Sequence, residues 1–190
     1  MRSGVCSLAN AALDGYSATI FAYGQTGSGK TYTMQGLQTH IADDLLGEHA
    51  PVARYLQVQQ VELVGGKCQD LIGTGVVKVM DNNDGSVELL HAASLTVDTP
   101  ESLLHSLRQA HARRATQSTC KNDVSSRSHA VCLITVVEHD ELVGRLLLVD
   151  CAGTERRNDS LMHTKTRQAE SVEINESLFA LKECLRARSK

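Results

Sequence analysis

Apolar and polar positions divide the beginning of the chain into a helix, a strand and a second helix. Residues 7–13 are typical of the end of a helix, and residues 17–23 (Ser-Ala-Thr-Ile-Phe-Ala-Tyr) are β-branched and aromatic enough to form a buried strand. A helix is predicted to begin at Lys30, to be interrupted by Gln-Gly at residues 35–36, and to resume briefly over residues 41–46. The pattern therefore predicts a strand that runs directly into a loop and then into a helix.

The middle of the chain has the shorter hydrophobic period of strands. Residues 55–64 alternate apolar and polar side chains imperfectly, which predicts a strand with a bulge. Residues 76–97 predict two or three short strands, with the first turn at the Asn-Asn-Asp-Gly of residues 82–85. Thr-Pro-Glu at residues 99–101 is typical of a helix start, and we expect that helix to run toward residues 113–114.

A polar segment separates this helix from two further strands. Residues 115–127 are expected to form a surface loop. Residues 130–137 and 142–149 are rich in β-formers, and the four residues between them predict a hairpin. The second of these strands stays apolar to its end and carries Asp150 at its tip.

The loop after the first predicted strand carries the first candidate chemistry. It fits the phosphate-loop pattern G-x-x-x-x-G-K-[ST] over Gly24, Gln25, Thr26, Gly27, Ser28, Gly29, Lys30 and Thr31. The glycines let backbone N–H groups turn toward an anion, and the positive end of the following helix adds to that site. Lys30 is then expected to reach the β- and γ-phosphates of a nucleotide, and Thr31 to offer its hydroxyl to Mg²⁺. The alternative is a glycine-rich turn with an exposed lysine, which the preceding strand disfavours.

Asp150 is the second candidate, because phosphate-loop enzymes place a strand-end aspartate beside Mg²⁺, directly or through water. With Gly153 it forms a D-x-x-G, whose glycine N–H is suited to sensing a γ-phosphate. D-x-x-G by itself is most often only a turn. Its position after an apolar strand, downstream of a phosphate loop, favours the nucleotide interpretation.

Composition narrows the class of protein. The chain has 190 residues, 42% of them hydrophobic, which is enough for one globular unit, and with 3% aromatic residues and no tryptophan its core must be aliphatic. The net charge of −3 argues against attraction of nucleic acid by the overall charge of the chain, so no nucleic-acid partner is expected. Six scattered cysteines without a C-x-x-C pair suggest reduced thiols in the cytosol. No apolar run approaches membrane-spanning length, so no membrane insertion is expected.

Four motifs in order resemble the kinesin motor family. N-x-x-S-S-R-S-H over residues 122–129 is similar to that family's first switch, and D-x-A-G-x-E over residues 150–155 to its second. I-N-x-S-L-x-A-L from Ile174 resembles the start of its microtubule-facing helix, and the phosphate loop has the family's form, A-Y-G-Q-T-G-S-G-K-T-Y-T-M. The resemblance spans nearly the whole chain but only the middle of a kinesin motor domain.

This resemblance implies the fold class and its divisions. We expect an α/β fold of the P-loop NTPase type, with a mixed central β-sheet flanked by helices, kinesin-motor-like and incomplete at both ends. Residues 1–190 would form one partial motor domain. Its functional segments would be the phosphate loop 24–31, the first switch 122–129, the second switch 150–155 and the microtubule-facing helix at about 170–188.

The family pattern also implies roles for residues that spacing alone does not assign. Ser126 would help to hold Mg²⁺, and Ser125 would lie beside the γ-phosphate and the attacking water. Arg127 and Glu155 would form a latch between the two switches, since a guanidinium–carboxylate pair is directional and easily broken by a loop shift. Gly153 would read the γ-phosphate and Tyr32 would lie near the adenine. Two unrelated surface charges are the alternative interpretation of Arg127 and Glu155.

The resemblance therefore implies a microtubule-stimulated ATPase with ATP and Mg²⁺ as cofactors and tubulin as partner, located on microtubules in the cytoplasm. The basic residues after Glu155 fit tubulin's acidic surface, and self-association would use regions absent from this chain. The run from Ser177 looks most like the internal-motor, microtubule-depolymerising kinesins, although the sequence does not separate walking from depolymerisation.

Two alternatives remain open. A non-catalytic module that binds tubulin or another motor is favoured by Glu176, which stands where lysine is common, and by the expected missing flanks. A small GTPase is disfavoured because the chain has no N-K-x-D segment. Two further departures from the family are Cys151 in place of leucine and residues 61–67 in place of an aromatic-rich segment.

Overall fold

A computed structural model describes residues 2–64, 67–81, 87–119 and 128–153 of the chain. Within these ranges the elements, in chain order, are α1 (Arg2–Leu13), β1 (Ser17–Ala22), α2 (Lys30–Leu46), β2 (Arg54–Val64), β3 (Lys67–Asp70), β4 (Val76–Asp81), β5 (Val87–Leu90), β6 (Leu95–Val97), α3 (Pro100–Thr119), β7 (His129–Glu138) and β8 (Glu141–Asp150). None of the helices in this part of the chain is long and apolar enough to cross a membrane.

The described strands form one mixed sheet, and the one parallel pairing among them positions the candidate site. The strand order is β1-β8-β7-β2-β3-β4-β5, with β6 paired to β2. β1 and β8 run parallel with Ala22 opposite Asp150, whereas the other pairings are antiparallel. Parallel neighbours end at the same edge, so the loop after Ala22 and the carboxylate of Asp150 emerge side by side.

The main core lies between this sheet and the three helices. Ile41 and Leu45 of α2 are fully buried in it, together with Leu103 of α3 and Ile134 and Leu146 of the sheet. Each such side chain contributes roughly 1.5–3 kcal/mol through burial. This packing fixes the direction in which α2 leaves the phosphate loop.

Glycine allows α1 to lie directly on the sheet at one point. A Cβ added at Gly144 would fall 2.1 Å from the Ala12 carbonyl oxygen and 2.8 Å from that of Tyr16. No side chain fits in this space, so glycine is required where α1 crosses β8.

The β7–β8 hairpin and the three strands between residues 76 and 97 confirm the sequence predictions. The hairpin turns at His139 and Asp140, which both have positive φ (51° and 63°), the conformation of a tight two-residue hairpin loop. The turn predicted at residues 82–85 lies outside the described residues.

Three local predictions were wrong. α2 is one continuous helix, because its buried face outweighs the modest cost of Gly36, where an added Cβ would meet no atom within 4 Å. β2 pairs with β7 without a bulge from Arg54 to Leu63, and the irregularity lies instead between β7 and β8, at Val136/Val137. α3 continues to Thr119, into the segment expected to be a loop.

The four-residue strand β3 was not predicted. It is too short to show a period, and pairing with β2 and β4 holds it in the sheet.

Candidate active site

The loop between β1 and α2 is folded around the side chain of its own lysine. Lys30 Nζ donates hydrogen bonds to the carbonyl oxygens of Gly24 (2.9 Å) and Gln25 (2.8 Å). Gly29, the residue before α2, has φ 82°, and its position provides no side-chain cap for the helix. The first N–H groups of α2 therefore receive no hydrogen bond from a side chain at Gly29, and they are available to bind an anion.

The loop and the second candidate segment meet through Thr31 and Asp150. Thr31 Oγ1 donates a hydrogen bond of 2.7 Å to Asp150 Oδ2. Just beyond, the Cys151 N–H donates to the Ala22 carbonyl oxygen at 3.1 Å, which extends the β1–β8 pairing past the strand ends. The structure thus brings together two segments that the sequence linked only by motif.

Asp150 uses its two carboxylate oxygens differently. Its side chain is buried, and Oδ2 accepts hydrogen bonds from Thr31 and, at 2.8 Å, from Arg114 Nη1. Oδ1 is also buried but has no hydrogen-bond partner among the described residues. A buried carboxylate oxygen without a donor is costly unless a cation or water completes it.

These residues fit a Mg²⁺ ion. The hard oxygen donors are the unpartnered Oδ1 of Asp150 and the Thr31 hydroxyl, which keeps its lone pairs after donating its proton. Across the described ranges no three His, Cys, Asp or Glu side chains form a metal-binding group. Mg²⁺ commonly uses one or two protein oxygens and takes its other ligands from phosphates and water.

A buried cluster of charges lies behind Asp150, and sequence reasoning missed it. Arg114 Nε lies 3.3 Å from Glu62 Oε1, and Arg114 Nη2 donates to the Ser128 carbonyl oxygen at 2.8 Å. The Ser128 hydroxyl in turn donates to Glu62 Oε1. One signal was available in the sequence: Arg114 follows Leu103, Leu107 and Ala110 at helical spacing, on the buried face of α3.

His129 connects the ends of the two predicted switches. The Ala152 N–H donates to His129 Nδ1 at 3.2 Å, which requires that nitrogen to be unprotonated. Burial lowers the pKa of His129, the Arg114 charge lowers it further, and the Asp150 charge opposes both effects. The neutral imidazole therefore holds the segment that follows Asp150 against the start of β7.

Cys151 is a buried packing residue. Burial raises the pKa of its thiol to about 11, with Asp150 adding to the effect and Lys30 opposing it. The thiol is consequently protonated at neutral pH and is not an activated nucleophile. In the sequence it stands at the position where the family pattern has leucine.

The comparisons with known proteins agree with this geometry. The family model described as "Kinesin motor domain" matches residues 1–190. The chain belongs to the kinesin motor domain family.

Similar kinesins come from distant organisms. The chain is 44% identical over 174 residues to diatom spindle kinesin-1 of Cylindrotheca fusiformis, covering 90% of this chain and 28% of that protein. It is 37% identical over 184 residues to kinesin-like protein KIN-13B of Arabidopsis thaliana, covering 90% and 27%. With human kinesin-like protein KIF24 the identity is 37% over 188 residues, covering 92% and 14%. The chain therefore spans less than a third of the length of each of these relatives.

A solved structure of a fast kinesin has the same fold. It aligns with a TM-score of 0.72 and 26% sequence identity over 86% of this chain and 52% of its own. The mixed sheet flanked by helices confirms the predicted kinesin-like P-loop fold.

The remaining predicted site residues of this kinesin divide into two groups. Tyr32 is 82% exposed on the first turn of α2, and Gly153 is buried beyond Asp150. Ser125, Ser126, Arg127 and Glu155 lie outside the described residues, as does the predicted microtubule-facing helix at 170–188. Their roles stay predictions.

A cavity of about 60 Å³ adjoins the site between α2, α3 and the sheet. Thr31, Gln60, Arg114 and Asp150 are among its lining residues, and Gln60 Nε2 is buried without a partner among the described residues. The cavity has room for water, to which Thr31, Gln60, Arg114 and Asp150 offer hydrogen-bonding groups.

Proposed function

We propose that this kinesin-family chain is an ATP-hydrolysing, microtubule-binding motor module. The observation that carries the proposal is the 2.7 Å hydrogen bond from Thr31 Oγ1 to Asp150 Oδ2 beside an unpartnered Oδ1. It joins a phosphate loop to the aspartate of a switch, the pairing that a P-loop ATPase needs to hold Mg²⁺ and to respond to the γ-phosphate.

The first step is nucleotide binding by the phosphate loop. Its backbone N–H groups and the N-terminus of α2 bind the phosphates. Lys30 exchanges the carbonyl oxygens of Gly24 and Gln25 for phosphate oxygens, because a charged acceptor binds an ammonium more strongly than a neutral carbonyl does. The exposed Tyr32 lies near the adenine.

The bound cation would be held by Thr31 and Asp150 together with Ser126 of the first switch. Mg²⁺ would offset charge on the phosphates and orient them. No covalent intermediate is needed, since positioning and electrostatics supply most of the catalysis in phosphoryl transfer.

The two switches position the groups for ATP hydrolysis and convert the loss of the γ-phosphate into movement. Ser125 positions the attacking water, Gly153 N–H contacts the γ-phosphate, and Arg127 pairs with Glu155 while that phosphate is present. Loss of the γ-phosphate breaks the pair between Arg127 and Glu155, and the switch loops then move. The hydrogen bond from Ala152 N–H to His129 keeps the start of the second switch attached to the sheet during that movement.

Microtubules are the proposed partner and location. The segment after Glu155 supplies clustered lysines and arginines to an acidic tubulin surface, despite the net charge of −3. The proposed output is movement along microtubules or their depolymerisation, the latter because the run from Ser177 resembles the internal-motor kinesins.

The alternative is a non-catalytic module that binds tubulin or another motor, which Glu176 favours by placing an acidic charge near the tubulin-facing helix. ATP turnover by the 190-residue chain, with and without polymerised tubulin, separates the two functions. The motor proposal expects turnover that microtubules increase and that Lys30→Ala reduces at least about 100-fold. Microtubule binding with turnover equal to that of Lys30→Ala would instead establish the binding module.

A further inference from the structure

Small side chains on β7 form the floor of the cavity between α2, α3 and the sheet. Ala130 and Cys132 line it from that strand. Gln60 of β2 lies opposite Cys132 on one side and Leu148 of β8 lies opposite it on the other, so these three side chains form one row across the sheet. The larger residues at both ends of the row hold a space open above the small residues in its middle.

Apolar side chains make up much of the wall of this cavity. Four of them are buried and come from α2, α3 and the end of β3: Met34, Leu71, Leu107 and Ala110. Binding pockets for small molecules are commonly built in this way, with an apolar wall and a few polar groups. The wall therefore favours a ligand with an apolar body.

The cavity reaches the surface between α2 and α3. Gln35 and His111 belong to its lining, and both residues are exposed. A small molecule can therefore enter from solvent between the two helices.

Gln60 provides an unsatisfied donor in this cavity. Its residue is 5% exposed, and Nε2 has no hydrogen-bond partner within the part of the chain that the structure describes. The backbone at this position is held in place, because the carbonyl oxygen of Gln60 accepts a hydrogen bond of 2.8 Å from the Leu71 N–H. A buried amide N–H without an acceptor is costly, so the site favours a ligand oxygen that accepts from Nε2.

The charged groups at the phosphate-loop end of the cavity favour an uncharged ligand. Arg114 Nη1 lies 2.8 Å from Asp150 Oδ2, so these two charges are paired with each other. An ionic ligand would lose its hydration beside a pair whose charges already offset each other, and burial of such a charge is unfavourable.

We propose that this cavity is a binding site for a small uncharged molecule with an apolar body and an oxygen acceptor, and that Gln60 Nε2 donates the hydrogen bond that anchors it. Ketones, amides and short alcohols belong to this class. Binding here requires neither nucleotide nor Mg²⁺, so the site does not depend on the proposed ATPase activity.

Cyclopentanone is the probe, because it has one carbonyl oxygen on a compact apolar ring. It is titrated into the 190-residue chain without nucleotide or Mg²⁺, and nuclear magnetic resonance follows the isotope-labelled methionine methyl groups. The buried Met34 methyl group reports on the cavity, and Met80 of β4, which does not line it, is the internal reference. We expect a saturable shift of the Met34 signal in the millimolar range and no shift of the Met80 signal.

A glutamine-to-methionine exchange tests the role of Gln60. Gln60→Met removes the donor with little change in side-chain length, so we expect about tenfold weaker binding of cyclopentanone. Methylenecyclopentane has the same shape but no oxygen, and its affinity for Gln60→Met should be within about twofold of its affinity for wild type. Gln57→Met, at an exposed glutamine on the same strand, is the control and should bind cyclopentanone as wild type does.

Three results would overturn the proposal. The first is a folded wild-type chain without a saturable Met34 shift, because the cavity would then hold water alone. The second is wild-type affinity of folded Gln60→Met for cyclopentanone. The third is an equal loss of affinity for methylenecyclopentane, since Gln60 would then not act through a hydrogen bond.

Circular dichroism verifies the folding of each variant. If Gln60→Met does not fold, Gln60→Leu takes its place, because leucine also removes the donor. If neither variant folds, nuclear Overhauser effects between cyclopentanone and the Met34 methyl group in the wild-type chain decide the matter. Their presence would support the site, and their absence would overturn it.

Discussion

Thr31 Oγ1 and Asp150 Oδ2 lie 2.7 Å apart although 119 positions separate these residues in the chain. The parallel register of β1 with β8 makes this contact possible, because it sets the end of one strand beside the end of the other. The predicted phosphate loop and the aspartate of the predicted second switch are consequently in direct contact.

Replacing Thr31 should weaken nucleotide binding only where Mg²⁺ contributes to it. Thr31→Ala removes both the donor to Asp150 and the proposed cation ligand, so we expect a loss of about 10- to 100-fold in affinity for Mg²⁺·ADP and little change in EDTA. Thr31→Ser keeps the hydroxyl and serves as the control. Wild-type affinity of Thr31→Ala for Mg²⁺·ADP would exclude Thr31 from the cation site.

His129 should make the stability of the fold depend on pH. Burial and Arg114 lower the pKa of His129 in the folded chain, Asp150 opposing, so the unfolded chain takes up the proton first. The stabilisation is present above the ordinary histidine pKa of about 6.5 and is lost as pH falls through the lowered value. Urea midpoints measured between about pH 7.5 and 5.5 should therefore decrease toward acid.

Two variants identify the histidine responsible. His129→Gln offers Ala152 N–H an uncharged acceptor and should make the pH dependence shallower. His105→Gln, at an exposed position on α3, should leave it unchanged. An unaltered slope in His129→Gln would show that another group causes the effect.

Alanine at two glycines should have opposite effects on stability. Gly36→Ala adds a methyl group where no atom lies within 4 Å and removes a weak helix former from α2, so we expect a gain of about 1 kcal/mol in the free energy of unfolding. Gly144→Ala places a methyl group against the Ala12 carbonyl oxygen and should cost about 1–3 kcal/mol. Thermal melts monitored by circular dichroism measure both. A loss of stability in Gly36→Ala would contradict a continuous α2.

The sequence could predict the parts of this site that are local. The phosphate loop and the aspartate at the end of an apolar strand each depend on a few adjacent residues. It could not show that they touch, because that contact depends on strand order. The Glu62–Arg114 pair was missed for a related reason: a charged residue is usually exposed, and its partner lies 52 positions away.

Errors in the fold arose where tertiary packing outweighed local preference. Gly36 predicts a break in α2, but Met34 and Ile41 on either side of it are both buried, and their packing keeps the helix continuous. α3 similarly extends past the expected start of a polar loop. Arg114 is buried because it pairs with the buried carboxylates of Glu62 and Asp150, and this contact keeps the surrounding residues helical.

Single-turnover hydrolysis of ATP by Asp150→Asn tests the central claim most directly. Asparagine keeps the shape of the side chain but removes its charge, and Asp140→Asn in the β7–β8 turn is a matched control where positive φ suits asparagine. We expect Asp150→Asn to lose at least about 100-fold in the Mg²⁺-dependent hydrolysis rate and Asp140→Asn to remain within about twofold of wild type. Hydrolysis by folded Asp150→Asn at the wild-type rate would contradict the assignment of Asp150 and Thr31 to a Mg²⁺·ATP site.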